Sequence, residues 1–188
     1  MDSSVIGLVG VAGLAGAGKT TAAKYLSNLK GGRYFYLGQT VLDEVRARGL
    51  PETRESERQV RIDLRSEKGR AALAIPYADE VAESLKNGIP ALVDAIFNRE
   101  EFDLLRSRFP NGPARVLAID ASFATRQARL ARRSERTFSA DELRERENTE
   151  LKQLATDAVI ASADYTIRNE QTFEEFYRRL AEFVTRCE

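Results

Sequence analysis

Residues 13–20 read Gly-Leu-Ala-Gly-Ala-Gly-Lys-Thr and satisfy the phosphate-binding pattern G-x-x-x-x-G-K-[ST] at every fixed position. Few short patterns constrain a fold as tightly, because the chemistry works only where a buried strand runs into the loop and a helix runs out of it. The flanks comply. Residues 5–12 form a β-branched and aliphatic run suited to a buried strand, and Ala22, Ala23, Leu26 and Leu29 recur at helical spacing after the loop. In that setting the backbone amides around Gly13, Ala15, Gly16, Ala17 and Gly18 cradle phosphates, Lys19 supplies a point charge, and Thr20 offers a hydroxyl to Mg²⁺, with Thr21 beside it.

The rest of the chain alternates strand and helix signals. After the first helix, Arg33–Leu37 reads as a second strand and residues 40–48 as a helix; a charged segment follows over residues 52–70, then a helical pattern over residues 71–86 kinked at Pro76. Pro90–Val93 reads as a strand ending on Asp94, Arg115–Ile119 as one ending on Asp120, and Tyr165–Ile167 as the fifth. Helices are expected over residues 100–109, 123–133 and about 140–162, and along the apolar stripe of Phe176, Leu180, Phe183 and Val184. Strands joined by helices of this length pair in parallel through right-handed crossovers. The expected fold is therefore α/β, a three-layer P-loop NTPase architecture with a five-stranded parallel sheet, helices on both faces and an arginine-rich lid. We expect one domain over residues 1–188, with an acceptor-side helical segment near 40–87 and the lid near 126–147.

Composition narrows the function classes. Lysine and arginine number 29 and so do aspartate and glutamate, so no global field draws the chain to nucleic acid or to an anionic membrane. A single cysteine, Cys187, leaves no internal disulfide and no metal-ligand spacing, which fits a reducing cytoplasm. No apolar run is long enough to span a bilayer. Histidine is absent altogether, which removes the usual general base.

In doubly wound sheets ligands sit beyond the carboxyl ends of the strands, which gathers the Gly-rich loop, Asp94, Asp120 and the residues after Ile167 along one edge. Asp94 and Asp120 each end an aliphatic strand, where a carboxylate either orients Mg²⁺ or caps the next helix; Asp94 is favoured for the metal because Asn98 and Arg99 follow it. Arg126, Arg129 and Arg133 share a helical face, with Arg136 beyond them. Such a face is either a phosphate-covering lid or a set of partners for Glu135, Glu142 and Glu145, and the Gly-rich loop favours the lid. Together these features point to a nucleoside triphosphate and Mg²⁺, while Arg61, Arg65 and Arg99 are either acceptor-side groups or members of surface ion pairs.

The chain resembles P-loop small-molecule kinases of the nucleoside monophosphate kinase and dephospho-CoA kinase group, and is most similar to an uncharacterised adenylate-kinase-related family found mainly in archaea. The likeness runs from the Gly-rich loop through Gly38, Glu44 and Arg48-Gly49-Leu50, then Leu64-Arg65, Val93-Asp94, Thr125-Arg126, Arg129-Leu130 and Arg133, to Ala163-Asp164-Tyr165-Thr166-Ile167-Arg168-Asn169. It implies that Asn169 lies near the adenine. The chain departs from that pattern at Gln39 and Leu42, and at Ala95 and Phe97 after Asp94, which leaves the acceptor open. A phosphate acceptor is already ionised near neutral pH and needs no base; a hydroxyl acceptor would call on Asp43 or Asp94. The expectation is phosphoryl transfer from ATP to a nucleotide-like acceptor by a monomer or homodimer, with Lys19, Asp94, Arg126, Arg129 and Arg133 as catalytic groups. Thr20 and Asp94 would hold the metal, and Gln39, Asp43, Arg61, Arg65 and Arg99 the acceptor. The alternatives are a dephospho-CoA kinase or other hydroxyl-directed kinase, and a nucleotide-binding regulatory protein without turnover.

Overall fold

The computed structural model describes residues 6–132 and 139–187. Five parallel strands, β1 (Leu8–Ala12), β2 (Arg33–Tyr36), β3 (Ala91–Ile96), β4 (Ala114–Asp120) and β5 (Tyr165–Arg168), form one sheet in the order β2-β3-β1-β4-β5. The strand entering the Gly-rich loop is thus central, hydrogen-bonded to β3 on one side and β4 on the other. Register sets the site: Val11 pairs with Asp94 and Ala12 with Ile96, so the carboxylate emerges beside the loop.

Alternation along β1 divides the core. Leu8 and Ala12 face one apolar layer with Phe35, Val60, Leu64, Phe102 and Leu105; Val9 and Val11 face the other with Leu26, Leu117, Phe176, Leu180 and Phe183. The first layer is covered by α2 (Gln39–Ala47), α3 (Arg54–Lys68), α4 (Ala78–Lys86) and α5 (Arg99–Ser107), the second by α1 (Lys19–Lys30) and α9 (Phe173–Cys187). A third, small cluster joins Ala15 of the loop to Leu130 of α6 (Phe123–Ala131) and Leu143 of α7 (Ala140–Lys152).

Several boundaries differ from expectation for identifiable reasons. β3 runs through Asp94 to Ile96 because Ala95 and Ile96 are themselves buried. The helix expected through residues 71–86 begins only at Ala78; Pro76 sits in a 3₁₀ turn, Ile75–Tyr77, because its ring cannot occupy a helix interior. The long helix expected over 140–162 is two, α7 and α8 (Thr156–Ala161), broken where Ala155 takes a left-handed conformation at φ 55°. That break turns Thr156 inward, where its hydroxyl donates to the Phe97 carbonyl. Ser122, not Asp120, caps α6 by accepting from the Thr125 amide. The helix expected to reach Arg133 is described as far as Ala131, and Arg133 and Arg136 lie outside the described residues. Among the described residues, no helix is long and apolar enough to cross a membrane.

Candidate nucleotide and acceptor site

The loop closes on itself and on the rest of the chain. Gly18, at φ 111°, opens α1 without a side-chain cap, which leaves the helix N-terminus available to an anion. A Cβ at Gly18 would lie 2.5 Å from Asn169 Nδ2, so close packing as well as backbone conformation requires glycine there. Lys19 Nζ donates to the Leu14 carbonyl at 3.0 Å and lies 5.5 Å from the centre of the Phe97 ring. Burial pulls its pKa below the ordinary amine value, with Glu150 and Asp94 as the charges that oppose the shift. A poorly solvated ammonium of this kind gains from an incoming phosphate.

Asp94 is buried, and one of its oxygens, Oδ2, accepts from both the Thr20 hydroxyl at 2.6 Å and the Tyr34 hydroxyl at 2.8 Å. Burial, reinforced by the Asp94 charge and hydrogen bond, raises the Tyr34 pKa, so this phenol stays a donor. Thr20 and Asp94, proposed from sequence as metal ligands, are therefore adjacent. Among the described residues no group of three or more His, Cys, Asp or Glu side chains is placed to hold a metal. Two oxygen ligands suit Mg²⁺, which keeps most of its waters and takes phosphate oxygens.

Arg126 is buried; its guanidinium donates to the Ala121 carbonyl, to the Ala15 carbonyl at 3.3 Å, and to Glu147 at 2.7 Å. Arg129 reaches the Ala17 carbonyl at 3.4 Å and Asn169 Oδ1 at 3.1 Å, while Asn169 Nδ2 donates to the same Ala17 carbonyl at 2.8 Å. Helix α6 and the segment after β5 thus both grip carbonyls of the loop, while the Ala15 amide donates to Glu150.

Beside Phe97 opens a cavity of about 430 Å³ between α3 and α7. Its walls are joined by ion pairs Arg54–Glu142 (2.8 Å) and Arg58–Glu145 (3.1 Å), and its interior carries Arg61, Arg65 and Arg146. Arg54, Arg58, Arg61 and Arg65 recur every three or four residues, which puts them on one face of α3. Burial, with Arg146 and Arg65 adding like-charge repulsion, lowers the Arg61 pKa to about 10. Arg65 bonds to the fully buried Glu101 at 3.0 Å, and its Nε has no partner among the described residues.

Arg61 and Arg65, expected on the acceptor side, are thus brought together. Gln39, Asp43 and Arg99 sit outside this cavity: Gln39 bonds to Asp43 across one helical turn, and Arg99 to Asp103. The sequence reading includes Glu101 in the polar run after Asp94 but does not single out Tyr34, Arg146 or Glu150. Only Glu150 left a trace, since it follows the buried Leu143 by seven residues and so falls on the apolar face of α7.

Comparison with known proteins gives the family and the fold. Residues 9–154 match the model of a family described as "AAA domain". The chain is 32% identical to a UPF0200 protein from Pyrococcus abyssi over 168 residues, covering 88% of this chain and 89% of that protein. It is 32% identical to another from Methanoregula boonei, covering 94% and 95%. Among solved structures it resembles a gluconokinase from Sinorhizobium meliloti, with TM-score 0.63 and 17% identity, over 97% of this chain and 93% of that one. It also resembles a shikimate kinase from Acinetobacter baumannii, with TM-score 0.53 and 16% identity, over 96% and 93%.

Proposed function

The chain belongs to the UPF0200 family and carries the AAA domain, and on that premise we propose that it is an ATP- and Mg²⁺-dependent kinase that phosphorylates a small acidic acceptor of nucleotide type. One observation carries the reading: a cavity lined by Arg61, Arg65 and Arg146 reaches Phe97, whose ring centre lies 5.5 Å from Lys19 Nζ. A phosphate-bearing acceptor would compete for these arginines with Glu57, Glu101 and Glu150, their partners within the chain, and its ionised oxygen would attack without a general base. The kinases among the structural neighbours agree with phosphoryl transfer as the reaction class.

Lys19 and the loop amides would hold the β- and γ-phosphates, and Thr20 and Asp94 would hold Mg²⁺, which would supply charge neutralisation during transfer. Arg126 and Arg129 brace the loop's carbonyls rather than reaching across it, so they keep its amides aimed at the phosphates. The segment near 40–87 serves the acceptor, and the stretch near 126–147, with Arg133 and Arg136, serves as the lid. The protein acts in the cytoplasm, as a monomer or homodimer.

The test is ADP release from MgATP across a panel of nucleoside monophosphates, dephospho-CoA and small hydroxyl acids. Turnover with a monophosphate supports the reading. Turnover confined to hydroxyl acceptors replaces the acceptor assignment, and MgATP binding without turnover on any of them replaces the kinase assignment with a regulatory one.

A further inference from the structure

Glu150 stands out among the acidic side chains near the loop. It lies in the last turn of α7, where the helix dipole disfavours an acid, and it is 3% exposed, where an unpaired carboxylate would be costly. Helix stability therefore does not account for it. Its partners do: Oε2 accepts from the backbone amide of Ala15, inside the Gly-rich loop, at 3.0 Å, and Oε1 accepts from Arg146 Nε at 2.9 Å. It is also the leading charge holding up the Lys19 pKa against burial. A carboxylate that accepts from a loop amide, with its charge acting on the loop lysine, stands in for one of the contacts a phosphate oxygen would make there.

Arg146 joins this carboxylate to the other half of the site, since it lies in the wall of the α3–α7 cavity facing Arg61 and is half-exposed there. We infer that Glu150 is a built-in counter-anion of the phosphate loop that nucleotide must displace, and that Arg146 passes from Glu150 to the acid group of the acceptor. Donor and acceptor then bind with positive coupling, because an acid held by Arg146 loosens the carboxylate that occupies the loop. The carboxylate also keeps the loop filled until both ligands are present, which limits transfer to water. The acceptor half of this inference rests on the kinase reading; the donor half does not.

The test is calorimetric titration of MgATP into the full chain and its Glu150→Gln variant. The neutral amide keeps the shape and loses the charge, so the variant should bind MgATP at least about tenfold more tightly, as when one charge-assisted hydrogen bond need no longer be broken. Unchanged or weaker binding overturns the inference, since a residue that merely braces α7 would give that result. In a second arm phenyl phosphate serves as the acid probe. It should tighten MgATP binding to the unmodified chain and leave Arg146→Gln unaffected. Equal tightening in both, or weakened binding in the unmodified chain, overturns the coupling, and this arm stands even if Glu150→Gln does not fold. Failure of the kinase reading would show separately, as binding effects intact with no acceptor giving ADP.

Discussion

At the scale of single residues, the loop lysine and the acids around it decide most. Among the described residues the Lys19 ammonium makes one hydrogen bond, to the Leu14 carbonyl, and it is held in a poorly solvated place. Lys19→Ala should therefore abolish phosphoryl transfer while leaving the thermal midpoint unchanged or slightly higher; turnover at the original rate would refute the site. Glu101 gives the pH dependence. Burial raises its pKa above the ordinary 4.5, with Arg65 and the amides of Phe97 and Asn98 pulling the other way. A carboxyl with a raised folded pKa contributes stability fully below 4.5 and loses it as pH climbs through the folded value. Arg65→Met leaves that carboxylate buried without its cation, at a cost of about 3–5 kcal/mol. The variant's melting temperature should recover as pH falls towards 4.5, and a flat profile would show that Glu101 is not held as described. Lys19, Thr20 and Asp94 were legible from sequence because the Gly-rich loop pattern announces the first two and an acid after a buried aliphatic run the third. Arg146 and Glu150 were not, since their meaning comes from a loop over 130 residues away along the chain.

At the scale of elements, α7 is the most informative. Its start was readable, because Ser139 and Glu142 form a reciprocal capping box, but its end was not. Leu143 and Leu154 fit one continuous periodicity, and nothing in composition marks Ala155 as the left-handed residue that interrupts it. The break exists for tertiary reasons: it lets Thr156 reach Phe97 and leaves Glu150 at a helix end beside the loop. Helix α7 is held to the body by the small cluster of Ala15, Leu130 and Leu143. Leu143→Ala should cost about 2–5 kcal/mol of local stability. Because the cluster is peripheral, the change should appear as faster amide hydrogen exchange across α7 and a lower kcat, with a smaller effect in β1 and β4. Equal acceleration throughout the sheet would show that α7 does not open on its own.

At the scale of the molecule, the parallel sheet and its two apolar layers were the most readable part, because strand and helix periods alternate and glycine or proline marks most turns. The order β2-β3-β1-β4-β5 was not readable, as strand order depends on pairings that no local pattern encodes. Helix α9 closes the second layer through Phe176, Leu180, Phe183 and Val184. Phe183 is fully buried against Tyr165, with ring centres 5.5 Å apart, so Phe183→Ala should cost about 3–5 kcal/mol. That corresponds to a fall in Tm on the order of 10 °C for a chain of this size; a fall of a degree or two would place α9 outside the cooperative core. The ion pairs Arg54–Glu142 and Arg58–Glu145 span the cavity on the outside, exposed to solvent. Exposed pairs contribute at most ~1 kcal/mol each and weaken as the Debye length shortens from about 10 Å at 0.1 M salt to about 3 Å at 1 M. The mouth of the cavity is therefore an aperture tuned by ionic strength: added salt lowers affinity for an acidic ligand within, yet hastens its entry and exit by slackening the two fastenings across the rim.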